Sequence, residues 1–228
     1  MKNLKQYITE KLKITKDNID KHKYFPKTKK ELQELLEHLI EERGNEGDFN
    51  DIDTSEITDM SYLFYEMENF NGDISKWDVY NVKVMNHMFC KCYKFNKSLS
   101  NWDVSNVTDM HSMFWGCKSF NQSLSNWDVS NVTNMKAMLG MCESFNQPLN
   151  NWDVSNATNM KDMFYKCESF NQPLNKWNVS KVKTMSMMFY ECYVFNQNIS
   201  NWNVSKVKGN DRIFVECPIE EKYKPKFK

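Results

Sequence analysis

The side chains with the means to do chemistry in this chain are seven cysteines, four histidines and a file of aspartates. Cys92, Cys117, Cys142, Cys167, Cys192 and Cys217 are spaced 25 residues apart, with Cys90 as the odd one out. Zinc sites cluster close cysteine pairs, whereas only Cys90-Lys91-Cys92 is close here, so neither a metal nor a redox centre is expected. His22 and His38 precede the regular part of the chain, and His87 and His111 occupy neighbouring but different positions of its period. No phosphate loop, nucleophile elbow or His/carboxylate metal spacing occurs, so the sequence predicts no catalytic residue and no cofactor. Asp78, Asp103, Asp128 and Asp153 form a carboxylate file, but Asn178 and Asn203 continue it. Hydrogen bonding therefore suffices there, and calcium, which wants six to eight converging oxygens, is the weaker alternative.

These residues recur because the chain does. Trp77, Trp102, Trp127, Trp152, Trp177 and Trp202 are each 25 positions apart, and Ile52 stands one period earlier. A period of this size marks a repeat array in which each unit buries its apolar side against its neighbours. Seven units follow, starting at 52, 77, 102, 127, 152, 177 and 202. Within a unit Val107, Met110, Met113, Phe114 and Cys117 recur at three and four, which predicts a short helix. Phe120, Leu124, Trp127 and Val129 surround a polar run with turn formers, which predicts one short strand. Strands from successive units would run in the same direction, so the expected class is α/β with a parallel sheet along the stack. Equivalent residues on adjacent coils then lie roughly 4.8 Å apart. That distance makes a disulfide conceivable, but side chains pointing the same way favour a buried file of reduced thiols. The asparagines after each phenylalanine, Asn71, Asn96, Asn121, Asn146, Asn171 and Asn196, are expected to stack as a ladder that satisfies backbone groups.

The ends differ from the middle, and the chain divides into residues 1–51, 52–217 and 218–228. Leu4, Tyr7, Ile8 and Leu12 predict a short amphipathic helix over 2–12, followed by a connector over 13–27. Thr28-Lys29-Lys30-Glu31 is a capping box, and Leu32, Leu35, Leu36, Leu39 and Ile40 mark one face of a helix over 29–43 that Gly44 can end. Such a helix would shield the apolar cross-section of the first unit. The alternative, a membrane-surface or partner helix, is opposed by its acidic outer face. Residues 1–30 carry ten lysines against three acids, while Glu31 to Asp73 has Arg43 as its only cation besides histidine. The basic arm is expected to fold back on this acidic shoulder, and with no basic stripe along the array nucleic-acid binding is not expected. The last unit is degraded: Asn210 and Ile213 replace methionines, Glu220 stands at the phenylalanine position, and a charged tail follows Pro218. Met1 to Tyr7 does not lead into the apolar stretch of a signal peptide, and no apolar run could span a bilayer, so no membrane insertion is expected. The chain is placed in the cytoplasm, with a virion as the other setting.

The words Trp-Asp-Val-Ser-Asn-Val-Thr-Asp-Met (102–110), Met113-Phe114, Cys117 and Phe120-Asn121-Gln122 resemble the BspA-like leucine-rich-repeat surface proteins, in the branch of the mycoplasma-type lipoprotein repeat. The resemblance covers Ile52 to Cys217. It implies a right-handed leucine-rich-repeat-like solenoid of about seven 25-residue coils, non-enzymatic and used for adhesion or other protein recognition. The chain departs from that pattern in carrying Met, Trp and Phe in most core positions and in showing no lipid-accepting N-terminal cysteine.

Function is then expected where the repeat leaves residues free. Units differ most at Tyr65, Cys90, Trp115, Gly140, Tyr165 and Tyr190, and three places on at Glu68, Tyr93, Lys118, Glu143, Glu168 and Tyr193. An aromatic ridge of Tyr65, Tyr93, Trp115, Tyr165, Tyr190 and Tyr193 is the candidate site for a protein partner, since aromatic side chains anchor interfaces. The alternative is that these rings pack over helix ends. The expected function is a non-catalytic protein-binding module that acts inside a cell or phage-infected host by binding, and inhibiting, a host protein complex. Its alternative is an adhesin or virion surface component mediating host attachment.

Overall fold

A computed structural model describes residues 22–227. The helix expected over 2–12 and the connector up to residue 21 lie outside the described residues. Helix α1 spans Lys29–Arg43, where its capping residues and leucine spacing put it. The Thr28 hydroxyl accepts from the Glu31 amide at 3.2 Å, while the Glu31 carboxylate reaches one residue further back to the Lys27 amide at 2.7 Å. At the other end Gly44, at φ 77°, donates its amide to the Ile40 carbonyl. Leu32, Leu35, Leu36 and Leu39 are buried against the first coil. Ion pairs join the start of the described chain to that coil: Lys23 to Asp51, Lys27 to Glu56, Lys29 to Asp59 and Arg43 to Asp51.

The α/β reading with a parallel sheet is overturned. Among the described residues α1 is the only α-helix, a single 3-10 turn (η1, Glu221–Tyr223) closes the chain, and no β-strand forms. Parallel pairing survives only as isolated bridges, as in the series Asp59, Val84, Asp109, Asn134, Asn159, Thr184 and Gly209. The units do stack with a 25-residue register, but each coil is built of turns.

Backbone hydrogen bonding explains both misreadings. Where a helix was expected, alternate amides serve two masters. Met113, Trp115 and Cys117 donate three residues back, to Met110, Ser112 and Phe114. Ser112, Phe114 and Gly116 donate instead to Lys136, Met138 and Gly140 on the next coil. A run of three-residue turns points side chains inward at much the same spacing as a helix, yet half its amides belong to the neighbour. The turns require two left-handed residues per coil, one file running Tyr62, His87, Ser112, Ala137, Asp162, Met187 and Arg212. The other runs Glu66, Lys91, Gly116, Met141, Lys166, Glu191 and Glu216, with φ between 52° and 77°. Each non-glycine residue held there costs about 1–2 kcal/mol.

Where a strand was expected, side chains replace the backbone ladder. The Asn96 side-chain oxygen accepts from the Asn121 amide and from Gln122 Nε2, both at 3.0 Å, and the pattern repeats through Asn196. Trp127 Nε1 donates to the Leu99 carbonyl at 3.0 Å, and every core tryptophan from Trp77 to Trp202 makes the equivalent bond. The Cys117 thiol donates to the Phe89 carbonyl at 3.0 Å, as do its equivalents on the neighbouring coils. The aspartate file, with Asn178 and Asn203, accepts from the amide two residues on. No described buried side-chain nitrogen or oxygen is left without a partner.

The interior is two interleaved files of rings. Phe70, Phe95, Phe120, Phe145, Phe170 and Phe195 stack at 6.0 Å between centroids, and Phe64, Phe89 and Phe114 at 5.3 to 5.5 Å. Each large side chain so buried contributes about 1.5–3 kcal/mol.

The stack also extends past the repeat at both ends. Residues 45–51 lie as half a coil under the second half of the first unit and the tryptophan that follows it: the Asn71 and Asp73 amides donate to Asn45 and Gly47, and Trp77 Nε1 to Phe49. At the far end the register slips by one residue. Glu220 donates its amide to the Asn196 side chain, 24 rather than 25 residues on, so buried Ile219 takes the inward place assigned above to Glu220. Pro225 is buried as well, and Ile199 donates to Tyr223, which ties the charged tail to the last coil.

The Trp127→Phe variant keeps a ring in the core but removes the donor to the Leu99 carbonyl. A loss of about 1–3 kcal/mol is expected in urea unfolding. Trp115→Phe, which removes a tryptophan that makes no such bond, is expected to lose less.

Candidate functional site

The residues that vary from coil to coil lie on the turn face, and the two files of left-handed residues determine which of them project. The structure brings three of the six ridge residues into one row. Trp115 stacks on Tyr165 with centroids 5.7 Å apart and planes 14° apart, and Tyr165 stacks on Tyr190 at 5.2 Å. Trp115 and Tyr165 are two coils apart. They meet because Gly140, at the same position of the intervening coil, has no side chain: a Cβ there would lie 2.4 Å from Trp115 Cζ3. Gly140 is thus the slot in which the indole rests.

Tyr65 belongs to a second group. It packs on Tyr62 at 5.5 Å and approaches His87 edge-on, while Tyr62 lies flat against His87 at 4.6 Å and 7°. Tyr93 and Tyr193 sit apart from both groups, each beside a charge. Lys118 lies 5.8 Å over the Tyr93 ring, and the Tyr193 hydroxyl donates to Glu191 at 2.7 Å. The rings do not cover helix ends, since no helix lies beneath them.

Along the same face lysines are matched coil by coil with glutamates: Lys91 with Glu66 at 2.7 Å, Lys118 with Glu143 at 3.0 Å and Lys166 with Glu191 at 3.1 Å. Lys166 also lies 5.6 Å over the Tyr165 ring. Between Tyr65 and Trp115 runs a shallow groove of about 390 Å³, to which His87, His111, Lys136 and Asp162 contribute. A larger recess of about 660 Å³ near Phe214 and Phe227 is the seam where the closing segment crosses the last coil.

The histidines were discounted on sequence because they fall in different positions of the period. In the folded chain the His87 amide donates to the His111 carbonyl, and the two rings meet at 4.6 Å. Amide and carbonyl partners across these turns are 24 residues apart, and the two rings follow that bond, so alignment by the 25-residue period hides the pair. Burial holds the pKa of His87 below its ordinary value, with Lys136 acting in the same direction and Asp109 against both. Burial does the same to His111, helped by His87 and then Lys136, again against Asp109. The Asp162 carboxyl is pushed up by burial, although Lys161 and Lys136 pull it down. Tyr62 and Lys136 also belong to this face and are not singled out by the sequence reading, whereas Gly140 stands in the variable column.

The cysteine file lies in the core, and all seven described cysteines are free thiols. Burial raises each of them, Cys90 to about 11, so at neutral pH they stay protonated and donate rather than attack. Among the described residues no three His, Cys, Asp or Glu side chains are placed to hold a metal ion, and no helix is long and apolar enough to cross a membrane.

The family described as "Mycoplasma protein of unknown function, DUF285" matches residues 30–144 and again 121–224. No curated protein and no solved structure matches the chain.

Two glycine substitutions separate the turn geometry from the site. Gly116→Ala, at a position where six coils hold other residues and where a Cβ would meet Lys91 only at 3.6 Å, is expected to cost about 1–2 kcal/mol. Gly140→Ala is expected to lift the Trp115 indole and increase its quenching by acrylamide. In a Trp115→Phe background that increase should vanish, leaving only the buried tryptophans.

Proposed function

The chain belongs to the repeat family DUF285, and from that premise we propose that it is a non-catalytic protein-binding module whose partner docks on the turn face. Within the family the BspA-like surface repeat proteins are the relatives we assign it to, on the strength of residues 102–122. One observation carries the reading. Trp115, Tyr165 and Tyr190 are stacked into a row across a glycine slot on the one face where the coils differ.

A row of this kind suits recognition for physical reasons. The rings are held by one another and by coils below, so little side-chain entropy is lost when a partner covers them. Lys166, bonded to Glu191 and lying over the Tyr165 ring, gives the row a polar edge. A core of aromatic anchors with a polar rim is the anatomy of a specific interface. We take the site of action to be a host protein complex inside the cell. Six repeated cysteines that act as reduced hydrogen-bond donors suit a reducing compartment.

Affinity capture from a host lysate tests this, with the wild-type chain beside the Trp115→Ala/Tyr165→Ala/Tyr190→Ala variant. The expected result is a cytoplasmic partner retained by the wild type and lost, about tenfold or more, from the variant. Equal recovery by both chains, with unchanged melting, would remove the ridge reading. Ridge-dependent capture of envelope or capsid components alone would point to attachment instead.

A further inference from the structure

We propose that the groove between Tyr65 and Trp115 takes a carboxylate side chain from an acidic segment of the protein partner, held by His87, His111 and Lys136. The inference rests on the reading of the turn face as the docking surface and adds the chemistry that the face selects.

The first observation is one of charge. Along the turn face Lys91, Lys118 and Lys166 each meet a glutamate of an adjacent coil. Lys136, on the coil between, has no ion-pair partner within 4.0 Å among the described residues. Lys136 is therefore an uncommitted cation inside the groove itself. A polyanion such as nucleic acid would want a row of such cations, one for each phosphate. A single unmatched ammonium beside two imidazoles fits one carboxylate.

The second observation is the geometry of the imidazoles. Their rings meet edge to face at 4.6 Å, and Tyr62 covers the outer face of His87. Asn86 Nδ2 lies 3.4 Å from His87 Nδ1, and once the ring is protonated both of its nitrogens can donate. Around His87 stand Lys136, Asp109, His111 and the Tyr62 and Tyr65 rings; around His111 stand His87, Lys136 and Asp109. The nearby Lys91 is engaged by Glu66. Asp109 already gives its oxygen to the His111 amide. The groove's own carboxylates are Asp109, already committed, and Asp162, which lies 4.0 Å from Lys161, feels Lys136 as well, and has its charge disfavoured by burial. Once the histidine pair takes up a proton the groove carries a cation its own carboxylates do not balance, and a carboxylate from outside supplies that balance and holds the proton there, because an anion nearby favours the charged imidazolium. The tyrosine ring against His87 stabilises that imidazolium further. Binding therefore strengthens as pH falls through the histidine range and weakens as it rises, while a glutamate ligand stays ionised down to about pH 4.3.

The test uses the full chain and a fluorescein-labelled, end-blocked peptide of alternating Glu and Ser, with the Gln/Ser peptide and a single-stranded DNA of equal charge beside it. Anisotropy is followed at low salt at about pH 5.5 and about pH 8, either side of the histidine range. The expected result is Glu-peptide binding about tenfold tighter at the lower pH. Lys136→Gln and His111→Gln should each weaken it about fivefold or more, the latter also flattening the pH dependence. Asp162→Asn should tighten it, and Lys176→Gln, outside the groove, should leave it unchanged. Absence of Glu-peptide binding, tighter binding of DNA, or wild-type affinity in both Lys136→Gln and His111→Gln would overturn the proposal. If the peptide fails while the ridge variant still loses a captured partner, the carboxylate site alone falls. If the peptide behaves as expected but no partner depends on the ridge, the proposed function falls and the site stands.

Discussion

The structure depends on side chains doing what backbone does in a sheet. Between successive coils the indole N–H and the cysteine thiol each donate to a carbonyl of the coil before, and the asparagine oxygen accepts from an amide of the coil after. Buried peptide groups must be satisfied, and in a chain made of tight turns most carbonyls face away from any helical or extended partner. The repeat answers this with a fixed donor or acceptor at a fixed place. Trp, Asn and Cys are therefore constrained twice, by shape toward the ring stack and by hydrogen bonding toward the neighbouring turn. That double constraint explains why their columns tolerate so little change among units while the outer face varies freely.

A cost follows from the same construction. Each complete coil bends through two left-handed residues, and nearly all of them are not glycine. The strain is offset locally, because the amides within each bend are shared between the turn and the next coil. It also has a use. The backbone of these left-handed residues is held on both sides, so Tyr62, His87 and Asp162 are presented by a rigid frame. Function on such a face needs no pocket. It needs unlike side chains at like positions, as Gly140 between Trp115 and Tyr165 shows.

Much of the architecture could be read from residues alone, and the failures are instructive. Helix α1 was legible because its cap and its leucine stripe agree. The period and the inward columns were legible because indole, phenyl and thioether groups repeat without a slip. The helix assigned within each unit was wrong because inward spacing at three and four is shared by consecutive turns, and Gly116 alone among the left-handed residues carries the usual marker. The strand was wrong because the amides beside Asn121 are bonded to a side chain, which no pattern of alternation records. The half coil at 45–51 has Phe49 but no tryptophan to announce it, and the slip at Ile219 breaks the period that would have placed it. Of the candidate site, the Trp115, Tyr165 and Tyr190 row was among the residues named, but the histidine pair was hidden because the amide-to-carbonyl bonds of the turns step by 24 residues and the period by 25.

Scalar couplings across hydrogen bonds, measured by NMR on the labelled chain, test the central claim most directly, because they report which carbonyl each amide is bonded to. The account predicts couplings from the amide nitrogens of Ser112, Phe114 and Gly116 to the carbonyl carbons of Lys136, Met138 and Gly140, and from the Trp127 indole nitrogen to that of Leu99. Couplings from those amides to carbonyls four residues earlier, as in a helix, or a Trp127 indole with no carbonyl partner, would contradict it.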